Sequence, residues 1–303
     1  GGYVPEFIPN TKMRPFDLPN DTSKTNPVIT VFPFKSIAQR PDLEAFSRIL
    51  SEEISAELSR FQDISVIGHF HSSVISKINE NVLEAASLVG ADFMITGTIQ
   101  VIGNKLQIRV NLVNSTSGKF ILTKLFTPTT IDDGIRIQNG IVKDIVSSLA
   151  GYYGVIFRQI VKTTPSKIAN NSAILRAICS YHEYQCAYSV ANYANALAYL
   201  NETVELEPNN AIAWAMLGEM HLASIALGLD NSKKTIEKSN HCITKALQID
   251  TNWQQAWYAL TLINCYKKDH DNCLSAAEQC IKINPNSSGI ISGIGCMLIF
   301  AGY

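Results

Sequence analysis

Two tryptophans constrain this chain more than any other feature. Trp214 stands three residues before Leu217, which Gly218 follows, and Trp257 stands three residues before Leu260. Each opens a pair of helical patterns. Pro208 comes just before the first pair and Pro285 ends the second. A two-helix unit cannot bury its apolar face alone, so repeated units must stack and share a core. The C-terminal half is therefore restricted to a helical array.

Counting from Gln254, the residues Trp257, Leu260, Cys273, Ala277, Cys280 and Pro285 fall at unit positions 4, 7, 20, 24, 27 and 32. Counting from Ala211, Trp214, Leu217 and Gly218 fall at positions 4, 7 and 8. Ser239, Ile243 and Ala246 follow only after nine extra residues are allowed near Gly228 to Lys234. Those nine imply a longer connection between the helices, or an extra helical turn on either side. Ala196, Leu200 and Pro208 suit an earlier, divergent unit whose first helix holds Leu175, Ile178, Tyr181 and Tyr184. Ile294, Gly295 and Gly302 suit a unit cut off after one helix. The pattern resembles the tetratricopeptide (TPR) repeat, a 34-residue helical hairpin. Thr261 departs from the usual glycine at position 8, and Ala277 is small for position 24.

About three repeats and a truncated helix are thus expected over residues 163–303, near the minimum for a stable stack. The cut end would leave Ile294, Met297 and Leu298 uncovered. The chain is then expected either to self-associate through that end or to continue in a longer protein.

The inner surface of such a stack comes from the first helices, at positions 2, 5, 9, 12 and 13. These are Ile212, Ala215, Glu219, Leu222 and Ala223, then Gln255, Tyr258, Leu262, Cys265 and Tyr266. The candidate partner groove is Ile212, Glu219, Leu222, Gln255, Tyr258, Leu262 and Tyr266, an apolar surface with tyrosines that suits a protein or peptide. It lacks the Lys/Asn set with which some TPR relatives hold a C-terminal carboxylate. A plainer alternative is that several of these residues only contact the neighbouring domain.

The N-terminal half reads differently. Residues 1–26, with Pro5, Pro9, Pro15 and Pro19, form an extended arm or linker, because proline fixes φ and donates no hydrogen bond. Val28 to Phe32 is a strand buried on both faces and ended by Pro33. Leu43, Phe46, Ile49, Leu50, Ile54 and Leu58 recur at helical spacing to about Phe61. Ile64 to Ile67 is the next strand, and Asn81 caps a helix that stops at Gly90. Phe93–Val101, Lys105–Val113 and Lys119–Phe126 alternate as a three-strand meander. Asp132 and Asp133 open a long helix carrying Ile135, Ile141, Ile145, Val146 and Leu149. The order β-α-β-α-β-β-β-α predicts an α/β domain, a mixed sheet with flanking helices, over 27–162. An all-α TPR superhelix follows it.

Several words in that half resemble a known module. They are Val31-Phe32-Pro33-Phe34, Leu50-Ser51-Glu52-Glu53-Ile54, Leu58-Ser59-Arg60-Phe61 and Val66-Ile67-Gly68, then residues 90–99 and 110–118. The stretch is similar to the TolB amino-terminal-like domain of bacterial signalling proteins. The resemblance implies a regulatory context and no catalytic residues. It also implies TPR repeats behind the domain and a nucleotide cyclase or winged-helix DNA-binding domain in front. Gly1 to Pro5 resembles the exit from a winged-helix hairpin, which favours a transcription regulator as the parent.

The totals fit that picture. Before and up to Pro165 there are 16 Lys+Arg against 15 Asp+Glu, and after it 9 against 11. Neither half has the basic excess of a nucleic-acid binder. Seven cysteines without a CxxC pair favour a reducing compartment, and with no signal-peptide pattern the expectation is cytoplasmic. No apolar run reaches the roughly 18 residues needed to span a membrane. A start without Met and a stop inside an apolar helix read as an excised piece.

Catalytic motifs are missing. There is no phosphate loop, HExxH or dinucleotide fingerprint. His69-Phe70-His71 lacks a third metal ligand, so no metal and no cofactor is expected. Cys273 and Cys280 fall at buried repeat positions, as small hydrophobes. Gln107, Arg109 and Asn111 form a polar strip on one sheet face, the candidate for a small ligand, with a solvated face as the alternative. The expected function is non-enzymatic: a regulatory, protein-interaction module, with a small-molecule sensor linked to a nucleotide cyclase as the second expectation.

Overall fold

Short apolar words in the first third of the chain set the parallel core of a sheet. β1 (Val28–Val31) lies between β3 (Ser65–Ile67) and β4 (Phe93–Ile102), parallel to both. Ile29, Thr30 and Val31 are buried accordingly. β5 (Lys105–Asn114) and β6 (Phe120–Phe126) add an antiparallel meander, giving the order β3-β1-β4-β5-β6. Its tight turns use the left-handed backbone of Gly103 (φ 61°) and Gly118 (φ 67°). The structure is a computed structural model. It describes residues 26–38, 40–68, 72–73, 75, 81–103, 105–127, 134–150, 154–156, 158–159, 172–230 and 232–303. The expected arm up to residue 25, the His69-Phe70-His71 triplet, Asp132-Asp133 and the Pro165 link lie outside those residues.

Pro33 does more than end a strand. It has no N–H for the ladder, and pairing with β4 resumes only at β2 (Lys35–Ser36). The gap is bridged from α1 (Pro41–Leu58). Ser51 Oγ accepts from the Phe34 N–H at 2.9 Å, and Ser47 Oγ donates to the Phe34 carbonyl. The Phe34 ring lies against Gly97, where an added Cβ would stand 2.5 Å from ring carbons. α1 and α3 (Gly134–Leu149) cover one sheet face, bringing Leu50, Ile54, Leu58, Ile145 and Leu149 onto Ile95, Ile99, Ile108 and Leu112. α2 (Val82–Leu88), capped by Asn81, packs Ala85 and Ala86 on Phe32, Met94 and Val113 of the opposite face.

The second half is helical hairpins: α4 (Ala173–Cys186) with α5 (Val190–Leu206), α6 (Ala211–Ala226) with α7 (Lys233–Ile249), and α8 (Gln254–Tyr266) with α9 (His270–Ile283). A single helix, α10 (Ser288–Ala301), follows. This is the α/β sandwich followed by a TPR superhelix that the sequence predicts. The nine extra residues are shared evenly. α6 has 16 residues against 13 in α8, and α7 has 17 against 14 in α9. The connection 227–232 is three residues longer than 267–269. The pair crosses closely at Gly218, whose carbonyl accepts from Ser239 Oγ at 2.7 Å. A Cβ on Gly218 would stand 2.5 Å from Ile243 Cδ1.

The tryptophans have a defined task. Trp214 Nε1 donates to the Pro208 carbonyl at 2.8 Å, and Trp257 Nε1 donates to the Thr251 carbonyl at 2.7 Å. Each indole reaches back six residues and pins the turn through which the chain enters its own repeat.

The C-terminal end differs from expectation. Ile294 is buried against the core, and Met297 and Leu298 are half-buried. α10 lays that face on α8, so the uncovered residues are instead Ile299 (72% exposed), Phe300 (80%) and Tyr303. One cluster of buried residues runs from the sheet through α3 into α4, α5 and α6, and on to Cys280, Ile290 and Ile294. The two halves therefore share a core.

Candidate functional site

α4, α6, α8 and α10 line the inner side of the array, and they border a half-open cavity of about 400 Å³. That lies within the range of about 300–1,000 Å³ usual for small-molecule sites. Its wall holds Tyr184 and Gln185 from α4 and Tyr188 from the turn that follows it, then Glu219 and Leu222 from α6. Tyr258, Leu262 and Tyr266 come from α8, and Met297 from α10. Glu219 and Gln185 are buried, at 9% and 7% exposure, and Gln185 Nε2 donates to Glu219 Oε1 at 3.0 Å. Tyr188 Oη donates to Gln185 Oε1 at 3.2 Å. The rings of Tyr184 and Tyr188 meet edge to face, 5.1 Å apart at 83°. Burial, and then the nearby Glu219, push the Tyr184 phenol above its ordinary pKa. Burial does the same for Tyr266. Both are therefore neutral phenols at physiological pH.

Away from this groove, the α/β domain touches the array through the turn after α1. The turn 59–64 after α1 carries Gln62, whose Oε1 accepts the Gln254 N–H at 3.0 Å. α8 has no side-chain cap of its own at Trp253, so a residue from the other domain satisfies that helix start. Gln254 Nε2 in turn donates to the carbonyls of Cys280 and Asn284 at 2.9 and 2.7 Å, closing the end of α9. Nearby, Asn286 Nδ2 donates to Glu57 Oε2 at 2.6 Å, and Ser147 Oγ donates to the Asn286 carbonyl at 3.1 Å. Asp63 and His182 of α4 stand 3.8 Å apart, both buried. That distance suits an ion pair, yet burial governs both groups. It pushes the Asp63 carboxyl up to about 7 and the His182 imidazole down to about 3. Burial thus favours the neutral form of both groups.

Five of the seven groove residues proposed from sequence come together on the cavity wall: Glu219, Leu222, Tyr258, Leu262 and Tyr266. Gln255 is buried one turn below them, beside Phe61, Asp63 and Ile290 at the domain junction. Ile212 is half-buried against both helical clusters. With Pro208 at position 32, Gln185 and Tyr188 fall at inner positions 9 and 12 of the divergent first unit, to which the groove expected from sequence was not extended, while Tyr184 falls at position 8. Gly293 belongs to the site indirectly: a Cβ there would stand 2.5 Å from Tyr258 Oη. On the sheet, Gln107 is tied to Gln100 and Asn111 to Thr123, while Arg109 is exposed. Among the described residues, no three His, Cys, Asp or Glu side chains converge to hold a metal. Buried Cys242 and Cys280 have thiols pushed up to about 11 and about 12 by burial, so both are unreactive packing groups.

No protein-family profile matches the chain. Over 103 residues, 34% of its length, it is 26% identical to anaphase-promoting complex subunit 3 of Schizosaccharomyces pombe. Over 123 residues, 41% of its length, it is 20% identical to putative adenylate cyclase 3 of Rhizobium meliloti. The matched stretches span 14% and 21% of those proteins. Among solved structures, TolB from Acinetobacter baumannii superposes with a TM-score of 0.28 at 15% identity, over 43% of this chain and 30% of that one. Among the described residues no helix is long and apolar enough to cross a membrane.

Proposed function

We propose that this chain is a non-enzymatic protein-interaction module in which the α/β domain holds a TPR groove in a fixed shape. The observation that carries the reading is the groove itself, walled by first helices of successive repeats. The likeness to a subunit of a multiprotein complex supports it. In this reading the module serves a bacterial cytoplasmic signalling protein, the C-terminal part of a transcription regulator, and makes no direct contact with nucleic acid. Seven free cysteines support the reducing compartment. The domain limits proposed are 27–162 and 163–303. Exposed Ile299 and Phe300 support self-association through α10.

The test is capture of a protein partner by the whole chain, compared with Tyr266→Ala. Tyr266 is partly exposed at the rim, so its loss leaves the core intact. Partner capture that is lost in the variant, with unchanged thermal melting, supports the groove. Capture that is the same in both sinks it.

A second reading rests on a different observation. The cavity has the volume of a small-molecule site, and one relative is named a putative adenylate cyclase. The pair of domains then acts as a sensor that regulates a linked cyclase. A thermal-shift screen against metabolites tests it, because a ligand at 100 times its dissociation constant stabilises by about 2.7 kcal/mol. The polar strip Gln107, Arg109 and Asn111 is kept as the alternative ligand position, and Arg109→Ala distinguishes the two.

A further inference from the structure

The sheet ends on two unequal edges. β3 has three residues, and so short an edge offers little to pair with. β6 has seven, and it pairs on one side only, with β5. Its ladder runs unbroken from Leu122 to Phe126, opposite Leu112 to Ile108, and a register shift interrupts it before Phe120. On its other side, among the described residues, β6 has no strand partner. Thr123, Lys124 and Leu125 are exposed, and Phe120 is 68% exposed. A free row of backbone N–H and C=O groups is a template for one more strand.

Charge narrows the choice of strand. Between Asp92 and Asp132 the chain has no acidic residue and four basic ones, Lys105, Arg109, Lys119 and Lys124. The meander of β4, β5 and β6 is thus a block of one sign within a chain of net charge −1. None of the four is ion-paired among the described residues. Lys124 Nζ stands 4.9 Å from the centroid of the Phe126 ring. Lys124 lies opposite Val110, and Leu125 lies opposite Arg109. Successive residues of β6 therefore offer a cation on one face and an apolar group beside a cation on the other. Lysine on an edge hinders pairing with an identical edge, because like charges on adjacent strands repel. The same lysine leaves the edge open to a strand of opposite charge.

We propose that β6 accepts an acidic, extended peptide segment of a partner protein as an added strand, with an acid opposite Lys124 and an apolar residue opposite Leu125. Main-chain hydrogen bonds to the free edge supply affinity, and the alternating side-chain positions, with the basic meander behind them, supply selectivity. The surface belongs to the α/β domain. It is separate from the TPR groove and stands or falls without it.

The test is fluorescence polarisation with the whole chain and a labelled peptide of four Glu-Val repeats. The expected result is saturable binding that Lys124→Glu weakens about tenfold or more. Lys234→Glu, on an exposed lysine of α7, is expected to leave it unchanged. Lys124 is exposed, so its reversal leaves the core intact; where it nonetheless alters the melting temperature, Lys119→Glu carries the same expectation. A copy of the peptide methylated at every backbone nitrogen keeps its charges and loses its donors, and is expected to bind about tenfold weaker or worse. Tyr266→Ala is expected to leave peptide binding intact, which separates this edge from the groove. The proposal is overturned if the methylated peptide binds as well, if charge reversal on β6 has no effect, if a Lys-Val peptide or a single-stranded oligothymidylate binds as tightly, or if no binding is seen at about 1 mM peptide.

Discussion

Removing one partner of the buried Asp63–His182 pair should expose a pH dependence that the intact pair conceals. The carboxyl is ordinarily half-titrated near 3.8 and is pushed to about 7 in the fold; the imidazole falls from 6.5 to about 3. Asp63 alone has a raised folded value. Its contribution is fully present below pH 3.8 and is lost as pH rises toward about 7. His182 alone has a depressed value, so its contribution is present above 6.5 and is lost as pH falls toward about 3. Together they bind one proton between about pH 4 and 6.5 in the folded and the unfolded chain alike. Stability depends on pH only where those proton counts differ, so the wild-type pair adds almost no slope there.

In His182→Gln the carboxyl is left alone. Its shift of about three units corresponds to about 4 kcal/mol of stability lost between pH 4 and 7. In Asp63→Asn the loss runs the other way, growing as pH drops below 6.5. The assay is urea unfolding at pH 4.5, 5.5, 6.5 and 7.5, read as differences from wild type so that other groups cancel. The double variant Asp63→Asn/His182→Gln should follow the wild-type slope. Single variants that run parallel to wild type, or that shift in the same direction as each other, would refute the reasoning.

Gly218→Ala should cost about 1–3 kcal/mol, because its Cβ overpacks Ile243; Ile243→Val should recover part of the loss in thermal melts of the double variant. Gln62→Ala removes the cap on α8 and should cost about 1 kcal/mol, with faster hydrogen exchange at the Gln254 amide than in wild type. Phe300→Asp with Ile299→Ser should abolish any concentration-dependent rise in mass by light scattering, while leaving the melting temperature unchanged, since both side chains are solvent-facing.

Much of the architecture was legible because it rests on periodic burial. Alternation in Lys105–Asn114 and the repeat spacing at Gly218, Ser239 and Ile243 each report a face turned to a core. Other features carry no period. Ser47 and Ser51 look like solvent-side breaks in the α1 pattern, yet both are buried, where their hydroxyls satisfy the Phe34 N–H and carbonyl in the gap between β1 and β2. Gln62 reads as an ordinary turn residue, and only the approach of α8 gives its amide a helix start to cap. The cavity was half readable. Tyr258, Leu262 and Tyr266 follow from unit positions, and so do Gln185 and Tyr188 once the count is carried back from Pro208 into the divergent first unit, whereas Tyr184 stands one position off the inner set.

A free repeat array behaves as a spring, whose pitch each nearest-neighbour interface sets independently. This one is strapped. α4 reaches the segment from Glu57 to Asp63 through His182, α8 through Gln254, and the entry to α10 through Asn286. Units that are not neighbours in the stack are thus fastened to a single short piece of another domain. The pitch is no longer a sum of local choices, and a displacement of that piece would alter the spacing of all three helices at once.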